Sequence, residues 1–514
     1  MADIKVPLLE GKEYKDCPGC KASYLCRKGA PRPIKQLLYL AVLVLANSLP
    51  ISSLYPFLYF MVRDFHIAKS DADIGYYAGF VGSSFMFGRF LTSVAWGTLA
   101  DKYGRRPVMF AGVISVIIFN TLFGFSSNFW MALVSRFLLG SFNGMLGPVK
   151  AYASEICSEE HQALGVAVVG TTWGLGLIVG PALGGYLAQP AIKYPKLFDN
   201  TVFAQFPYLL PSLCTSGFAI VALVTTFGLP ETLHRHDKIK TSYSEKDIPS
   251  KASVEVRIDD EVEKGFAVDD TERLPSEGSQ TQQKSLWRSW PLFGSILVYC
   301  IWSLHDMAYT EIFSLWAVSP KKHGGLSFTS SDVGNVLSVS GFSMLVFQLL
   351  LFPPLTNFLG PIYLTRLSSI LSIPLLAAYS YMSRLENLSL WTAVLSASVL
   401  KNVLSVTILT GSFLLINNSV TQDQRGAANG LSMSIVSLFK AIGPAAGGSL
   451  FAWAQTRTNA AILPGDEIVF FFLNLVALLT VLVTFEPFLP RSTDKPKTNM
   501  PNIVQRSTSL DRHH

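Results

Sequence analysis

Three ionisable residues, His305, Asp306 and Glu311, lie within seven positions of one apolar run of the chain. The run, Trp290–Val318, is long enough to cross a bilayer, where ionisable side chains are costly and usually functional. Helical spacing places His305 and Tyr309 on one face at i, i+4, with Asp306 one turn before Tyr309. Because burial favours the neutral form of a carboxyl group, Asp306 or Glu311 could carry a proton. We therefore predict proton coupling at the three ionisable residues and list Tyr309 as a substrate-binding candidate.

Basic residues also lie inside apolar runs, namely Arg89, Arg136, Lys401 and Lys440. Arg136 opens an Arg-x-x-x-Gly-x-x-x-Gly pattern, and an arginine at membrane depth costs a few kcal/mol and usually marks function. The structural alternative is that Arg136 donates to backbone carbonyls of a neighbouring helix. Lys401 and Lys440 are candidates to bind a substrate carboxylate. Either could instead pair with a helix carboxylate such as Asp306, in which case that carboxylate has only a structural role.

The elements that position these residues are predicted to be twelve transmembrane helices. The chain has 514 residues, of which 50% are hydrophobic and 15% charged, whereas roughly a quarter of a soluble domain is charged. Its apolar runs match the length of about 20 residues that a membrane helix needs. The first span has no carboxylate, and its polar residue near the middle, Asn47, is a further substrate-binding candidate. The predicted spans are 37–61, 74–99, 108–126, 129–152, 164–187, 206–229, 290–318, 333–352, 361–381, 388–416, 427–453 and 468–488.

These spans form two predicted six-helix halves, 37–229 and 290–488. The linker 230–289 is rich in Ser, Lys, Glu, Asp and Gln, and we predict disorder because it cannot bury enough apolar surface to fold. The tails are 1–36 and 489–514. The net charge of +6 does not indicate nucleic acid, because the basic residues cluster at the ends of apolar runs. Their positions place both tails and the linker in the cytosol, and the N-terminal tail lacks the apolar core of a secretory signal.

An internal repeat supports the two halves. The sequence Gly-Pro-Ala-x-Gly-Gly occurs in the fifth span and again in the eleventh, about half the chain later. Small residues allow membrane helices to approach closely, and a proline removes one helix hydrogen bond, so we predict tight packing and a bend. Parallel repeats are a transporter architecture. The residues are Gly176, Gly180, Pro181, Gly184 and Gly185 in the first half, with Gly443, Pro444, Gly447 and Gly448 in the second.

A loop between the second and third spans carries the most specific motif, composed of Gly97, Asp101, Lys102, Gly104, Arg105 and Arg106. Gly97 would let two helices approach, Asp101 could face a helix N-terminus or the neighbouring basic residues, and Gly104 would turn the chain. A loop that only follows the positive-inside rule explains the basic residues but neither Asp101 nor the glycine spacing. The pattern matches the major facilitator signature G-x-x-x-D-[RK]-x-G-R-[RK], and the resemblance implies an all-α major facilitator fold with a cytosolic latch here. The equivalent segment of the second half, 357–361, keeps only Gly360.

Two further motifs resemble the same superfamily. The Arg136 pattern resembles its fourth-helix motif, which is linked to proton coupling. The glycine-rich run from Gly176 to Gly185 resembles its fifth-helix antiporter signature, although Ala167 stands where the longer form of that signature has a glycine. Plain helix packing remains an alternative explanation for that run.

A metal site is a weaker hypothesis. The chain has six cysteines, too dispersed for a disulfide framework. Cys17 and Cys20 form a Cys-x-x-Cys pair, for which His234 and His236, distant in the sequence, are candidate partners. This set lacks the tight spacing of known zinc modules, so we predict a solvated tail without metal and expect no cofactor.

Longer stretches of the chain resemble the zinc-induced facilitator-like family of plant major facilitator transporters. They are CPGC at 17–20, LPISSLYPFLYFM at 49–61, GFVG at 79–82, FNGMLGPVKAY at 142–152, PETLH at 230–234, SLHDMAYTE at 303–311 and DQRGAANG at 423–430. The resemblance implies proton-coupled export, by antiport, of a small organic solute from the cytosol into the vacuole or across the plasma membrane. A nicotianamine- or phytosiderophore-type chelator, linked to zinc and iron homeostasis, is the first expectation. Auxin-related and potassium transport are the alternatives within the family.

Such a zwitterionic, carboxylate-rich chelator would suit a cavity that holds Arg136, Lys150, Lys401 and Lys440 opposite the acidic residues of the seventh span. Other classes are less well supported. We find no P-loop, nucleophile elbow or HExxH motif, so we expect no enzymatic activity. A potassium channel would need a carbonyl filter or a charged ring. A transport-dead receptor that signals through its linker is the remaining alternative. We expect a monomer in the lipid bilayer that binds protons and a small solute, and no nucleic acid.

Overall fold

The computed structural model describes residues 18, 33–157, 162–233, 290–321, 324–420, 425–457, 465–490 and 493. These residues form helices and connecting turns, and no strand occurs among them. Nine of the described helices are long and apolar enough to cross a membrane. The predicted all-α membrane fold is thereby confirmed. Cys17, Cys20, His234 and His236 lie outside the described residues, as does most of the predicted linker and of both tails.

The first half contains six helical spans. They are Ile34–Ser52 with Tyr55–Asp64, Ile74–Tyr103, Arg105–Gly124, Phe129–Phe142 with Leu146–Glu155, Gln162–Leu187 and Leu209–Phe227. Three one-turn helices, Pro190–Lys193, Pro195–Phe198 and Val202–Gln205, connect the fifth span to the sixth.

The second half repeats this arrangement. Its spans are Trp290–Val318, Ser330–Leu350 with Phe352–Leu359, Pro361–Met382, Asn387–Asn418, Arg425–Gln455 and Glu467–Val483. The turn after the second span and the turn after the eighth correspond, since Gly104 and Gly360 both have a positive φ, +116° and +79°. That backbone conformation strains any residue with a Cβ, which explains why the glycine is the feature shared by the two loops.

Two spans of the first half are interrupted near their middles. The first span breaks at Ser53 and Leu54, shortly after Pro50. The fourth breaks between Phe142 and Leu146, which frees backbone groups inside the bundle. The second span satisfies one of them, because the Ser141 carbonyl accepts hydrogen bonds from Thr92 Oγ1 and Trp96 Nε1 at 2.8 and 2.7 Å. Broken membrane helices persist where neighbouring protein groups replace the lost bonds.

The Gly-Pro-Ala-x-Gly-Gly repeat packs in the same way in both halves. A Cβ at Gly180 would overlap Ser52 of the first span, and one at Gly443 would lie 2.8 Å from Met307 Cβ of the seventh. The last glycine of each repeat faces the opposite half: Gly185 lies against Gly334, and Gly448 against Gly79. Each repeat therefore joins a helix to its own half and to the other half through adjacent faces.

The two halves meet at the end of the molecule that lies opposite the Asp101–Arg106 loop. We call the end where they meet the far end, and the end that carries this loop the loop end. At the far end the second span packs on the eleventh and the fifth on the eighth. Towards the loop end the packing stops: among the described residues, no atom lies within 4 Å of a Cβ built on Gly97, Gly147, Gly170 or Gly430. The close helix approach expected at Gly97 is absent because the molecule is open at this end.

Candidate functional site

The seventh and tenth spans are joined by a carboxylate–ammonium pair. Lys401 Nζ and Ser405 Oγ each donate to Asp306 Oδ1 at 2.6 Å. The Lys401 side chain is 2% exposed and that of Asp306 26% exposed, so the pair lies at the edge of accessible space. The ammonium also lies 3.8 Å from the centre of the Tyr309 ring, where it is attracted to the π face. Of the two outcomes considered for Asp306, pairing with a buried cation is what the structure shows.

Tyr309 and His305 belong to the packed interior of the second half. Tyr309 donates through its hydroxyl to Tyr379 at 2.7 Å and is 3% exposed. His305 is fully buried and stacks on Trp302, with ring centres 4.3 Å apart. Among the described residues, neither ring nitrogen of His305 has a hydrogen-bond partner. His305 is thus enclosed by the interior of the second half and is not in contact with solvent in this conformation.

Glu311 lies in the contact between the two halves. It is 1% exposed, and within the described part of the chain its Oε2 has no hydrogen-bond partner. A Cβ on Gly82 of the second span would lie 2.8 Å from that oxygen. Tyr55 and Arg136, on the first and fourth spans, are close enough for their charges to interact with Glu311. The carboxyl group of the second half thus lies among side chains of the first.

Arg136 is held by two kinds of contact. One guanidinium nitrogen donates to the Pro50 carbonyl at 3.0 Å, which is the structural role considered for this residue. The guanidinium also lies 5.3 and 5.4 Å from the ring centres of Phe85 and Phe123. Its Nε has no partner, and the side chain is 2% exposed. A cation this poorly satisfied is available to interact with a nearby carboxylate such as Glu311.

Asn47 lies beside the break in the fourth span. Its side-chain oxygen accepts a hydrogen bond of 2.6 Å from Asn143 Nδ2. Both residues are nearly fully buried, at 3% and 2% exposure. The bond joins the first span to the fourth, so Asn47 stabilises the broken helix in this conformation.

Three basic residues of different spans are close enough for their charges to interact. Arg89, Lys150 and Lys440 lie on the second, fourth and eleventh spans, and the charge on each acts on the other two. Arg89 and Lys440 are partly exposed and Lys150 is exposed. Among the described residues none of the three forms a salt bridge.

The signature loop is organised by acidic residues of its own half. Arg105 pairs with Asp101 at 2.5 Å and with Glu155 at 3.2 Å. Glu231, just after the sixth span, accepts hydrogen bonds from the backbone N–H groups of Arg105 and Arg106 at 2.9 and 3.0 Å. A carboxylate at a helix N-terminus accepts hydrogen bonds from the free backbone N–H groups there, and its negative charge interacts favourably with the helix dipole. Lys102 Nζ lies 5.5 Å from the centre of the Tyr103 ring, and no atom of the described residues lies within 4 Å of a Cβ built on Gly97.

The far end is closed by polar contacts between the fifth and eighth spans and their loops. Tyr186 donates to Asn335 Oδ1 at 2.6 Å, and Ser338 donates to the Ile178 carbonyl at 2.8 Å. Lys193 Nζ donates to Ser330 Oγ at 2.8 Å and to the Gly185 carbonyl. Burial lowers the pKa of Lys193 to about 8.

The structure brings several predicted residues together and adds others. Asp306, Lys401 and Tyr309 form one cluster, and Arg136 and Glu311 another. Sequence reasoning did not assign roles to Tyr55, Gly82 and Glu231. A signal existed for Glu231, because it is a carboxylate that follows the sixth span on the same side as the basic loop. Gly82 belongs to the GFVG stretch at 79–82, but that pattern does not reveal its contact with Glu311, which comes from a helix of the other half.

Comparison with known proteins gives a consistent result. A sequence model described as Major Facilitator Superfamily matches residues 40–319. The chain is 50% identical to Protein ZINC INDUCED FACILITATOR-LIKE 1 of Arabidopsis thaliana, over 94% of this chain and 97% of that protein. It is 49% identical to Protein ZINC INDUCED FACILITATOR 1 of the same plant, over 95% and 99%. The crystal structure of a D-xylose–proton symporter superposes with a TM-score of 0.66, covering 91% of this chain and all of that one, at 12% identity, which shows a shared fold alone.

Proposed function

Because this chain belongs to the major facilitator superfamily, and within it to the zinc-induced facilitator-like proteins, we propose that it is a proton-coupled antiporter that exports a small organic solute from the cytosol. The family identified from sequence motifs is confirmed, and with it a membrane transporter. The observation that best supports proton coupling is the position of Glu311, buried between the halves with an unpartnered oxygen beside Arg136.

The physical reason is the cost of enclosing a charge. A carboxylate without hydrogen-bond partners is strongly disfavoured in a dry contact, whereas a protonated carboxyl is tolerated. The far end can therefore close most favourably when Glu311 carries a proton. When the far end opens, water reaches Glu311 and the proton can leave or bind, with Arg136 favouring the charged form. In this scheme proton occupancy and conformation are linked, as antiport requires.

Asp306 and Lys401 supply a second, exchangeable charge pair. Their contact lies at the edge of the open region, so a solute carboxylate could replace Asp306 as the partner of Lys401. Asp306 would then be released to take up a proton. Tyr309 holds the ammonium in place during the exchange. A nicotianamine- or phytosiderophore-type chelator, with several carboxylates and amines, fits such a site and links the protein to zinc and iron homeostasis.

For the remaining features of the function we propose the following. The loop end, with both chain tails, faces the cytosol, since it carries the basic loop residues. The membrane is the tonoplast or the plasma membrane, and the protein works as a monomer. The Asp101–Arg106 loop acts as the latch that releases and re-forms as the loop end opens and closes.

A proteoliposome uptake assay with an imposed pH gradient tests the proposal. Nicotianamine, a phytosiderophore, auxin and potassium would be compared as solutes. We expect gradient-driven uptake of the chelators, and its loss in Glu311→Gln, Asp306→Asn and Arg136→Gln. Lys196→Gln, on an exposed loop, is the matched control. Uptake that does not depend on the pH gradient, or full activity in all three variants, would refute proton coupling at these residues. If the effect of the protein in cells is unchanged by Asp306→Asn but is lost when residues 236–288 are deleted, the receptor alternative would be favoured.

A further inference from the structure

A groove lies on the first half at the loop end, and its walls come from four separate parts of the chain. Its volume is about 650 Å³. The start of the third span supplies Arg106 and Phe110, the end of the second span supplies Tyr103, and the segment after the sixth span supplies Glu231. The fourth wall is Pro18, from the N-terminal tail. Pro18 is the only residue before 33 that the structure describes, and it is half-buried.

The side of this groove that belongs to the helical bundle is pre-organised, because its residues hold one another. The Phe110 ring packs edge-on against Phe227, with ring centres 4.5 Å apart. The Arg106 guanidinium donates to the Phe227 carbonyl at 2.7 Å and lies 5.7 Å from the centre of the Phe110 ring. The backbone N–H of Arg106 donates to Glu231. The groove therefore presents an aromatic ring with a fixed cation and a fixed carboxylate, and it can receive a rigid proline ring without rearranging.

The tail can reach this groove from the point where it joins the bundle. Tyr39, near the start of the first span, lies against the end of the sixth, since a Cβ on Gly228 would come within 2.5 Å of its ring. Glu231 follows Gly228 closely in the sequence. The stretch 19–32, which connects Pro18 to the first span, can extend to about 45 Å. Because the tail is tethered nearby, its docking is intramolecular and benefits from a high effective concentration.

We propose that this groove is a docking surface for the chain's own N-terminal tail, which seats Pro18 beside Phe110 and Glu231 and thereby holds the signature loop in its present arrangement. Glu231 is the link to the loop. Its carboxylate lines the groove and also accepts hydrogen bonds from the backbone N–H groups of Arg105 and Arg106 at 2.9 and 3.0 Å. A proline ring packed beside these bonds excludes water and strengthens them.

The consequence is a control element built into the chain. Because the loop end is open in this structure, a seated tail favours the open loop end, and an unseated tail releases the loop. The Cys-Pro-Gly-Cys motif that contains Pro18 thereby gains a role that requires no metal. This inference concerns control of the loop and goes beyond the proposed transport function, since it does not depend on which solute is carried.

Photo-crosslinking of the full-length protein, with one molecule in each nanodisc, tests the docking. A p-benzoylphenylalanine probe takes the place of Tyr103, which lines the groove and is 53% exposed. The matched probe takes the place of Phe358, which is 86% exposed and lies just before Gly360, the counterpart of Gly104 in the second half. After digestion with trypsin, we expect the first probe to be joined to peptide 16–21, which contains Pro18, and the second probe not to be.

A substitution in the tail tests the contact without changing the helical bundle. Pro18→Ser should lower the yield of this crosslink by about fivefold, because it removes apolar surface from the groove. Hydrogen exchange of the amides of Arg105 and Arg106 should become at least about twofold faster in the same variant. Pro7→Ser, which changes another proline of the tail, is the matched control and should change neither measurement. Thermal unfolding of both variants should match that of the unsubstituted protein.

The absence of a crosslink from the Tyr103 probe to peptide 16–21, or an equal yield from the Phe358 probe, would overturn the docking. A crosslink that forms only when two copies share a nanodisc would contradict it as well, because the tail would then come from a second molecule. Amide exchange that is the same in Pro18→Ser and Pro7→Ser would overturn the effect on the loop. Failure of proton-driven uptake would refute the proposed function and leave these results intact.

Discussion

Glu311 of the seventh span lies directly against Gly82 of the second, where a Cβ would come within 2.8 Å of Glu311 Oε2. One glycine thus makes room for a carboxyl group that belongs to the opposite half. The contact joins the two halves at the far end, so in the proposed function it is the place where protonation of Glu311 acts on their arrangement.

Replacing Gly82 with alanine should open the far end. The added methyl group would meet Glu311 and Pro444, and overpacking of this kind typically costs about 1–3 kcal/mol. We expect the population closed at the far end to fall by about tenfold, since 1.4 kcal/mol corresponds to that factor. Spin labels on the far-end loops would report the distribution of distances. Gly217→Ala, on the sixth span, is the control, because no described atom lies within 4 Å of its Cβ and it belongs to no motif discussed above; equal effects of the two substitutions would contradict the prediction.

Removing one charge of the Asp306–Lys401 pair should lower the free energy of unfolding more than removing both charges does. Asp306→Asn leaves the Lys401 ammonium buried without its counter-charge, a change that costs about 3–5 kcal/mol in fully buried pairs. Since Asp306 is about a quarter exposed, we expect about 2 kcal/mol. The measurement is thermal or denaturant unfolding of the purified protein.

The double variant Asp306→Asn/Lys401→Gln should recover part of that loss, because no uncompensated charge remains. A double-mutant cycle over the four proteins gives the coupling between the two side chains. Strictly additive effects would show that the pair contributes nothing to stability in solution.

Glu231 is predicted to hold the signature loop in place. Its carboxylate accepts four backbone N–H bonds, from Arg105, Arg106, Thr232 and Leu233. Glu231→Ala should destabilise the first half by about 1–2 kcal/mol, the usual range for loss of a helix cap. Gly104→Ala should act on the same contact, because a Cβ there would collide with the Glu231 carboxylate. Unfolding of both single variants and the double variant should show an effect smaller than the sum. Glu386→Ala, at an exposed helix start without a side-chain cap, is the control.

Asp466, which lies at the far end, should make the stability of the protein depend on pH. Burial raises its pKa to about 7, although Gln455 donates to its Oδ1 at 2.7 Å and opposes that shift. A carboxyl whose folded-state pKa is raised stabilises the fold at low pH. That contribution is lost as the pH rises from about 4, the unfolded value, through 7. We therefore expect the unfolding midpoint to fall as the pH rises from about 4 to about 7.

Comparison with Asp466→Asn isolates this contribution, since asparagine does not titrate. The variant should show a flatter pH profile, while Asp199→Asn, on an exposed loop, should follow the unsubstituted protein. Identical profiles for the unsubstituted protein and Asp466→Asn would show that Asp466 does not titrate in this range.

The sequence by itself determined the membrane fold, the approximate spans, the repeat and the family. These features depend on local composition and on spacing along one helix: an apolar run of sufficient length must be a membrane helix, and a glycine stripe must be a packing face. Asp101 and Arg105 could be recognised for the same reason, because they pair at i, i+4. The contacts of this loop with Glu155 and Glu231 come from distant segments and were not predicted. The predicted role of Arg136 likewise followed from the cost of a buried guanidinium, which does not depend on its partners.

Only the tertiary structure decided which charges meet. The sequence presented His305, Asp306 and Glu311 as one group, yet each faces a different environment: His305 stacks on Trp302, Asp306 bonds Lys401, and Glu311 enters the contact with the first half. Successive residues of a helix point about 100° apart, so neighbours in sequence reach different helices. Which helix each one meets depends on how twelve spans pack, and that arrangement is set by contacts hundreds of residues apart.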